Sequence, residues 1–181
     1  MTRLTPQEFG TAFDSLFRRS AFRLELLDRY VAANEAEPFR RFRSGIPQDP
    51  SWREPWARFV RASVRDGKQM ERVHVVGEPL SDYLQFELTC AYPANVAAGE
   101  DVRIFPLDEY PLHTYPLRDF WLFDDAAAVV MDYDDDGNFL GADVTTAPVR
   151  IARYAAVRDF IVPRAVPLAD YLTSLGMKEA V

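Results

Sequence analysis

The sequence contains a single cysteine, Cys90, among its 181 residues, so no disulfide bond can form within the chain. Long apolar runs are also missing. No stretch approaches the roughly 18 consecutive apolar residues that a transmembrane helix needs, and the polar start of the chain lacks the apolar core of a signal peptide. These absences predict a cytoplasmic protein without a membrane-spanning segment.

Basic residues are in the minority, with 21 Lys and Arg against 28 Asp and Glu, which gives a net charge of -7. Proteins that bind nucleic acids or anionic membranes need a basic face to contact phosphates. We therefore predict neither direct nucleic-acid binding nor membrane binding.

Complete catalytic motifs are absent too. The chain has no HExxH, CxxC, GxSxG, GxGxxG or P-loop pattern, so zinc, serine-hydrolase and nucleotide chemistry have no direct support. We predict no metal and no cofactor, and no catalytic residue is assigned.

Hydrophobic residues make up 48% of the chain and no linker divides it, which indicates one globular domain over residues 1–181. We expect a mainly helical part over residues 1–70, a central sheet block over 71–145 and C-terminal helices over 146–181. The predicted fold class is α+β, with a single central mixed sheet and helices at both ends.

Local patterns place several elements. Thr5 and Glu8 form a capping box at the start of a helix. Alternation of apolar and charged residues over Ser20–Tyr30 predicts an edge strand. Val166–Leu175 is predicted to be a terminal helix.

The acidic run from Asp132 to Gly137 matches the opening half of a calcium-binding loop, with Asp143 at the twelfth position. The flanking residues, however, have strand patterns, whereas a calcium loop is flanked by helices. An Asp-Gly hairpin turn is the simpler interpretation.

Each histidine has two interpretations. His74 lies in an apolar strand and either faces a polar layer or solvent or takes part in acid–base chemistry. His113 lies in a proline-rich loop, with Asp119 close in sequence. Cys90 is best interpreted as a small buried hydrophobic residue.

Two arginines lie in strands that are predicted to be buried, Arg72 and Arg103. A buried arginine normally has a carboxylate partner, because an unpaired buried charge is costly. Glu87 and Asp119 are available as partners. The alternative is a shared pocket for an anionic ligand. Asp124 either begins a turn or contributes to a site at a strand end.

Five segments together resemble an uncharacterised actinobacterial family, domain of unknown function 6879. They are Ser20-Ala-Phe-Arg-Leu-Glu25, Arg72-Val-His-Val-Val, Pro79-Leu-Ser-Asp-Tyr83, Ala98-Gly-Glu-Asp-Val-Arg103 and Asp119-Phe-Trp-Leu-Phe-Asp-Asp125. The resemblance covers the chain from about Phe13 to Tyr171. It implies a regulatory role beside helix-turn-helix regulators of the XRE type, and it assigns no chemistry.

The predicted order of elements is also similar to one half of a phospholipase D-like fold, whose active half carries His-x-Lys-x4-Asp. In this sequence Tyr115 stands at the lysine position and Asp119 comes one residue too early after His113. The resemblance therefore implies a catalytically degenerate half.

We expect a non-enzymatic regulatory or adaptor protein that acts with a helix-turn-helix transcription regulator, or a sensor of a small ligand. The alternative is a phosphodiesterase- or nuclease-like hydrolase that uses His74 or His113. The oligomeric state is left open. The candidate residues for binding a ligand or partner are Arg72, His74, Tyr83, Glu87, Arg103, Asp119, Trp121 and Asp124.

Overall fold

A computed structural model describes residues 2–47, 49–110 and 118–178. The chain has an α+β fold in which, over these residues, helices surround one mixed eight-stranded sheet. The strands are β1 (Thr2–Leu4), β2 (Ser20–Glu25), β3 (Gln69–Val76), β4 (Asp101–Pro106), β5 (Phe120–Phe123), β6 (Ala127–Tyr133), β7 (Phe139–Thr145) and β8 (Val166–Pro167).

The helices are α1 (Pro6–Leu16), α2 (Ala36–Arg43), α3 (Glu54–Arg65), α4 (Asp82–Phe86), α5 (Tyr92–Ala98), α6 (Pro148–Ile161) and α7 (Leu168–Ser174). A 3-10 turn, Pro50–Arg53, precedes α3, and a second, Leu107–Glu109, follows β4. A π-helical segment, Glu87–Ala91, joins α4 to α5. No helix in the described part of the chain is long and apolar enough to cross a membrane.

The strand order is β1-β7-β6-β5-β2-β3-β4-β8. Strands β2, β3 and β4 run parallel, whereas β5 is antiparallel to β2 and β6 is antiparallel to β5. It follows that β6 runs in the same direction as the three parallel strands. The C-terminal ends of β2, β3, β4 and β6 therefore meet at one edge of the sheet.

The predicted edge strand over Ser20–Tyr30 is instead the central strand β2, hydrogen-bonded to β5 on one side and to β3 on the other. The prediction of an edge position was wrong because Arg23 and Glu25 alternate with apolar residues, a pattern typical of a solvent-exposed face. In the fold both side chains are buried, with 3% and 6% of their surface exposed.

The two faces of the sheet have different packing. One face carries an apolar layer under α6, in which Phe22, Val73 and Leu122 contribute to the core. The opposite face is aromatic where α1 and α3 cover it. There the Phe13 ring makes edge-to-face contacts with the rings of Trp121 and Phe123, at centroid distances of 5.0 Å each. Such pairs contribute beyond the area that they bury.

The starts of two helices can be compared with the starts that local sequence patterns predict. The capping box at α1 is confirmed, because the Thr5 hydroxyl accepts from the Glu8 amide and the Glu8 carboxylate accepts from the Thr5 amide. The terminal helix begins only at Leu168, because Val166–Pro167 pairs with β4 as β8. A strand of two residues is too short to leave a periodic pattern in the sequence.

Candidate functional site

Strands β2 and β3 bring four ionisable side chains onto one face of the sheet. In the parallel register Arg23 lies beside Arg72, and Glu25 lies beside His74. Side chains two residues apart on a strand share a face, so the alternation in both strands builds a small polar layer. All four side chains are buried, and His74 is fully shielded from solvent.

The two arginines are held by carboxylates from separate parts of the chain. Arg72 donates from Nη1 to Glu25 at 2.6 Å and from Nε to Glu100 at 2.8 Å. Arg23 donates from Nη2 to Asp119 at 2.8 Å, and its Nε lies 3.3 Å from Glu25. Although burial acts to raise the pKa of Glu25, the guanidinium groups of Arg72 and Arg23 hold it well below its ordinary value.

The Tyr92 hydroxyl is the meeting point of three other groups. Its oxygen lies 2.7 Å from His74 Nδ1, 2.9 Å from Glu25 Oε2 and 2.9 Å from Glu87 Oε2. The other ring nitrogen of His74, Nε2, lies 2.9 Å from the carbonyl of Leu27, which can only accept, so Nε2 carries a proton.

This arrangement limits where the protons can lie. A hydroxyl has one proton, so it can donate to only one of its three neighbours. Because Glu25 is ionised, all three contacts would be hydrogen bonds only if both the Glu87 carboxyl and Nδ1 of His74 carried protons. Burial lowers the pKa of His74, whereas burial and the nearby Glu25 and Glu35 carboxylates raise the pKa of Glu87 to about 8. We conclude that Glu87 is protonated and His74 is neutral, so that one of the three contacts of the Tyr92 hydroxyl holds no hydrogen bond, and that the 3.7 Å approach of His74 to Glu87 is not an ion pair.

Asp119 closes the network next to β2. It accepts hydrogen bonds from the Leu26 amide at 2.9 Å, from the Tyr30 hydroxyl at 2.6 Å and from Arg23. Burial raises the pKa of Asp119, although the Arg23 guanidinium opposes the shift. The Trp121 ring lies against both arginines, with the guanidinium carbons of Arg23 and Arg72 at 5.6 Å and 5.9 Å from its centroid.

A second buried polar group lies beside the network and includes a side chain of α4. The Tyr83 hydroxyl donates to Glu35 at 2.6 Å, and Glu35 lies 3.3 Å from Nη1 of Arg53. Burial raises the pKa of both Tyr83 and Glu35. This group connects the segment before α2 to the 3-10 turn before α3.

Five of the eight predicted site residues thus lie in one network: Arg72, His74, Glu87, Asp119 and Trp121. Tyr83 lies beside it, with its ring centroid 6.4 Å from that of Tyr30. The other two lie elsewhere. Arg103 pairs with Asp101 at 3.0 Å on the face of β4 that is turned away from the network. Asp124, at φ +54°, accepts from the amides of Arg19 and Ser20 and so fixes the start of β2. His113 lies outside the described residues.

Sequence reasoning missed several members of the network, among them Arg23, Glu25, Tyr30, Tyr92 and Glu100. The available signal was the presence of charged residues at alternate positions in two apolar strands. The network is closed to solvent, with His74 at 0% and Glu87 at 6% exposure. In this conformation the network joins β2 and β3 to the segment that carries Glu87 and Tyr92.

A second polar feature lies on the surface, at the sheet edge where β2, β3, β4 and β6 end. Six carboxylates are exposed there: Asp28, Glu78, Asp108, Glu109, Asp135 and Asp136. We refer to these six residues as the acidic edge. None of them forms an ion pair with another described residue. Arg118 is nearby at the start of β5, and it is engaged by Asp132 at 3.1 Å.

Among the cavities that are lined by described residues, two open along the acidic edge. The larger, of about 620 Å³, lies at the ends of β3 and β4 and is bounded by Glu78, Asp108, Glu109 and Tyr171. The smaller, of about 490 Å³, is bounded by Asp28, Arg29, Tyr133 and the acidic hairpin. In α/β sheets, ligands commonly bind outside the C-terminal ends of parallel strands.

The hairpin between β6 and β7 at this edge is a turn that is stabilised by hydrogen bonds to the Asp134 carboxylate. Oδ1 of Asp134 accepts from the amides of Asp136 and Asn138 at 3.1 Å and 2.8 Å, and the Asn138 amide group donates to Oδ2 at 2.9 Å. Gly137, at φ +88°, completes the turn between β6 and β7. Over the described residues, no group of three or more metal-ligating side chains is arranged to hold a metal ion.

The chain belongs to the family described as Domain of unknown function (DUF6879), whose model matches residues 7–173. No curated protein matches the chain.

Proposed function

We propose that this member of a family without an assigned chemistry is a non-enzymatic regulatory protein of the cytoplasm. In this proposal it holds a basic protein partner, a helix-turn-helix transcription regulator, against its acidic edge. The supporting observation is the set of six exposed carboxylates, free of ion pairs with described residues, at one edge of the sheet. The whole chain is also negatively charged, like the acidic edge, because acidic residues outnumber basic ones.

Charge complementarity gives the proposal its mechanism. A helix-turn-helix protein contacts the DNA backbone through basic and polar side chains. A surface with several unpaired carboxylates attracts such a face and speeds the encounter between the two proteins. A regulator held in this way is withheld from DNA, because the chain and the phosphates compete for the same basic residues.

The buried network supports the non-enzymatic part of the proposal. The alternative, a phosphodiesterase- or nuclease-like hydrolase, requires a histidine and a carboxylate in a cleft that is open to substrate. His74 and Glu87 come within 3.7 Å of each other, but His74 is fully buried. The alternative therefore depends on His113, which lies outside the described residues, as does the phospholipase D-like motif position Tyr115.

The test is a binding measurement between the full chain and a purified XRE-type regulator by isothermal titration calorimetry. The edge variant Asp28→Asn/Asp135→Asn/Asp136→Asn should bind about tenfold more weakly, since each rim charge contributes a few tenths to about 1 kcal/mol. The binding of the unmodified chain should also weaken as salt is raised, because exposed charges are screened.

The matched control removes three exposed carboxylates away from this edge: Asp14→Asn/Asp66→Asn/Asp159→Asn. It lowers the net negative charge by the same amount and should bind as the unmodified chain does. If the two triple variants bind equally well, or if the unmodified chain does not bind the regulator, the proposal is wrong.

A further inference from the structure

The larger cavity of the acidic edge combines three features. Its carboxylates come from two sides, Glu78 after β3 and Asp108 and Glu109 after β4. Apolar walls are provided by Val76 and Leu107. The third feature is Tyr171, which reaches the cavity from α7.

Tyr171 provides an observation that is independent of the acidic residues. Only 8% of its surface is exposed, and it lines the cavity. Its hydroxyl makes no hydrogen bond of ordinary geometry with a described residue, and the group that it interacts with is the Glu78 carboxylate of the same cavity. Burial raises the pKa of Tyr171, with the nearby Glu78 carboxylate as a further contribution, so the hydroxyl is protonated at neutral pH. A buried hydroxyl without a hydrogen bond of ordinary geometry is costly, and a ligand that hydrogen-bonds to it removes that cost.

We propose that this cavity binds the guanidinium group of an arginine side chain. The planar fork of a guanidinium presents five N–H donors, so it can meet carboxylates on two sides and also donate to a phenol oxygen. Its faces pack on aromatic and apolar surfaces such as those of Tyr171 and Leu107. A lysine ammonium group has only three N–H donors, all on one nitrogen. It would therefore form fewer hydrogen bonds with the carboxylates on the two sides and the phenol oxygen. A carboxylate or phosphate ligand is disfavoured by the three acidic side chains.

The arginine is assigned to the basic partner, and in this respect the inference rests on the proposed function. One arginine of the regulator would enter the cavity, while the remaining basic surface would lie along Asp28, Asp135 and Asp136. A free small molecule that carries a guanidinium would have the same chemistry, so the experiment includes both sources.

The test is titration of the isotope-labelled full chain, followed by NMR. The probes are a capped glycine pentapeptide with a central arginine, the same peptide with citrulline, and agmatine. Citrulline keeps the shape of arginine but is uncharged. We expect the arginine peptide to shift resonances of residues 76–78, 106–110 and 171, and the citrulline peptide to leave them unchanged.

Tyr171→Phe tests the hydroxyl while keeping the buried ring. It should weaken arginine-peptide binding about tenfold, the loss expected for one hydrogen bond to a charged group. Glu78→Gln should weaken binding as well, whereas Asp66→Asn, far from the cavity, should not. Thermal unfolding of each variant verifies that the fold is intact.

Equal binding of arginine and citrulline peptides, or unchanged affinity in Tyr171→Phe, would overturn the inference. Tighter binding of agmatine than of the peptide would overturn its assignment to a protein partner. A failure of this inference can be distinguished from a failure of the proposed function. The effect of changing Asp28, Asp135 and Asp136 on regulator binding is measured separately from the effect of changing Tyr171 on peptide binding.

Discussion

Replacing Glu87 by glutamine tests the proton count in the buried network. Glutamine has the shape of a protonated glutamic acid and cannot ionise. In the folded protein the pKa of Glu87 is about 8, against an ordinary value of 4.5. Between these two values the folded chain binds a proton that the unfolded chain has released, so the free energy of unfolding falls as pH rises.

The size of the effect follows from the separation of the two pKa values. Each unit is equivalent to about 1.4 kcal/mol, so the full separation corresponds to about 5 kcal/mol. About 2 kcal/mol of this falls between pH 6.5 and pH 8. His74 has a lowered pKa when folded and therefore acts in the opposite direction, but only below its ordinary value of 6.5. The measurement is best made above that pH.

The assay is urea unfolding at pH 6.5, 7.25 and 8.0, followed by circular dichroism. We expect the unmodified chain to lose about 2 kcal/mol across this range. Glu87→Gln should be within about 1 kcal/mol of the unmodified chain at pH 6.5 and should lose much less as pH rises.

Glu25→Gln is the matched comparison, because Glu25 is ionised and paired with two buried arginines. It should lose about 3 kcal/mol or more at every pH. Its pH slope should be shallower than that of the unmodified chain but should persist, because burial still raises the pKa of Glu87 when the Glu25 charge is removed. The reasoning is refuted if Glu87→Gln keeps the pH slope of the unmodified chain, or if it is destabilised at pH 6.5 as strongly as Glu25→Gln.

Three further predictions concern stability, measured by chemical unfolding. Arg72→Met should cost about 3–5 kcal/mol, because it leaves the buried Glu100 without a guanidinium partner and Glu25 with Arg23 alone; a loss below 1 kcal/mol would show that the Arg72 ion pairs contribute little. Gly137→Ala should cost about 1–3 kcal/mol, since its φ is +88° and a Cβ would lie 2.5 Å from the Arg29 carbonyl oxygen. Gly45→Ala, at φ +65° with open space around it, should cost less, and equal losses would contradict the steric argument. Thr5→Ala should cost about 1 kcal/mol through loss of the α1 cap; an unchanged midpoint would show that the cap is not stabilising.

The elements with strong local signals were predicted well from the sequence. The strands predicted around His74 and Arg103 are β3 and β4, and the capping box predicted the start of α1. The hairpin interpretation of the acidic run is also confirmed, since Asp134 is bound to the turn that it forms. In each case the determining interactions lie within a few residues of one another.

What the sequence could not supply is the pairing between distant segments. Arg23 and Glu25 look like an exposed face because a charged side chain in a strand usually faces water. Their burial depends on Asp119 and Arg72, which lie 96 and 47 residues away from Arg23 and Glu25 respectively. The acidic edge could not be identified either, because its residues meet only through the strand order.

The most direct test of the central claim, that the acidic edge withholds a basic regulator from DNA, is a competition measured by fluorescence anisotropy. An XRE-type regulator is bound to a labelled operator duplex, and the chain is titrated in. We predict that anisotropy falls to the value of free DNA, and that Asp28→Asn/Asp135→Asn/Asp136→Asn requires about tenfold more protein. An anisotropy that stays constant, or that rises as a ternary complex forms, would contradict the claim.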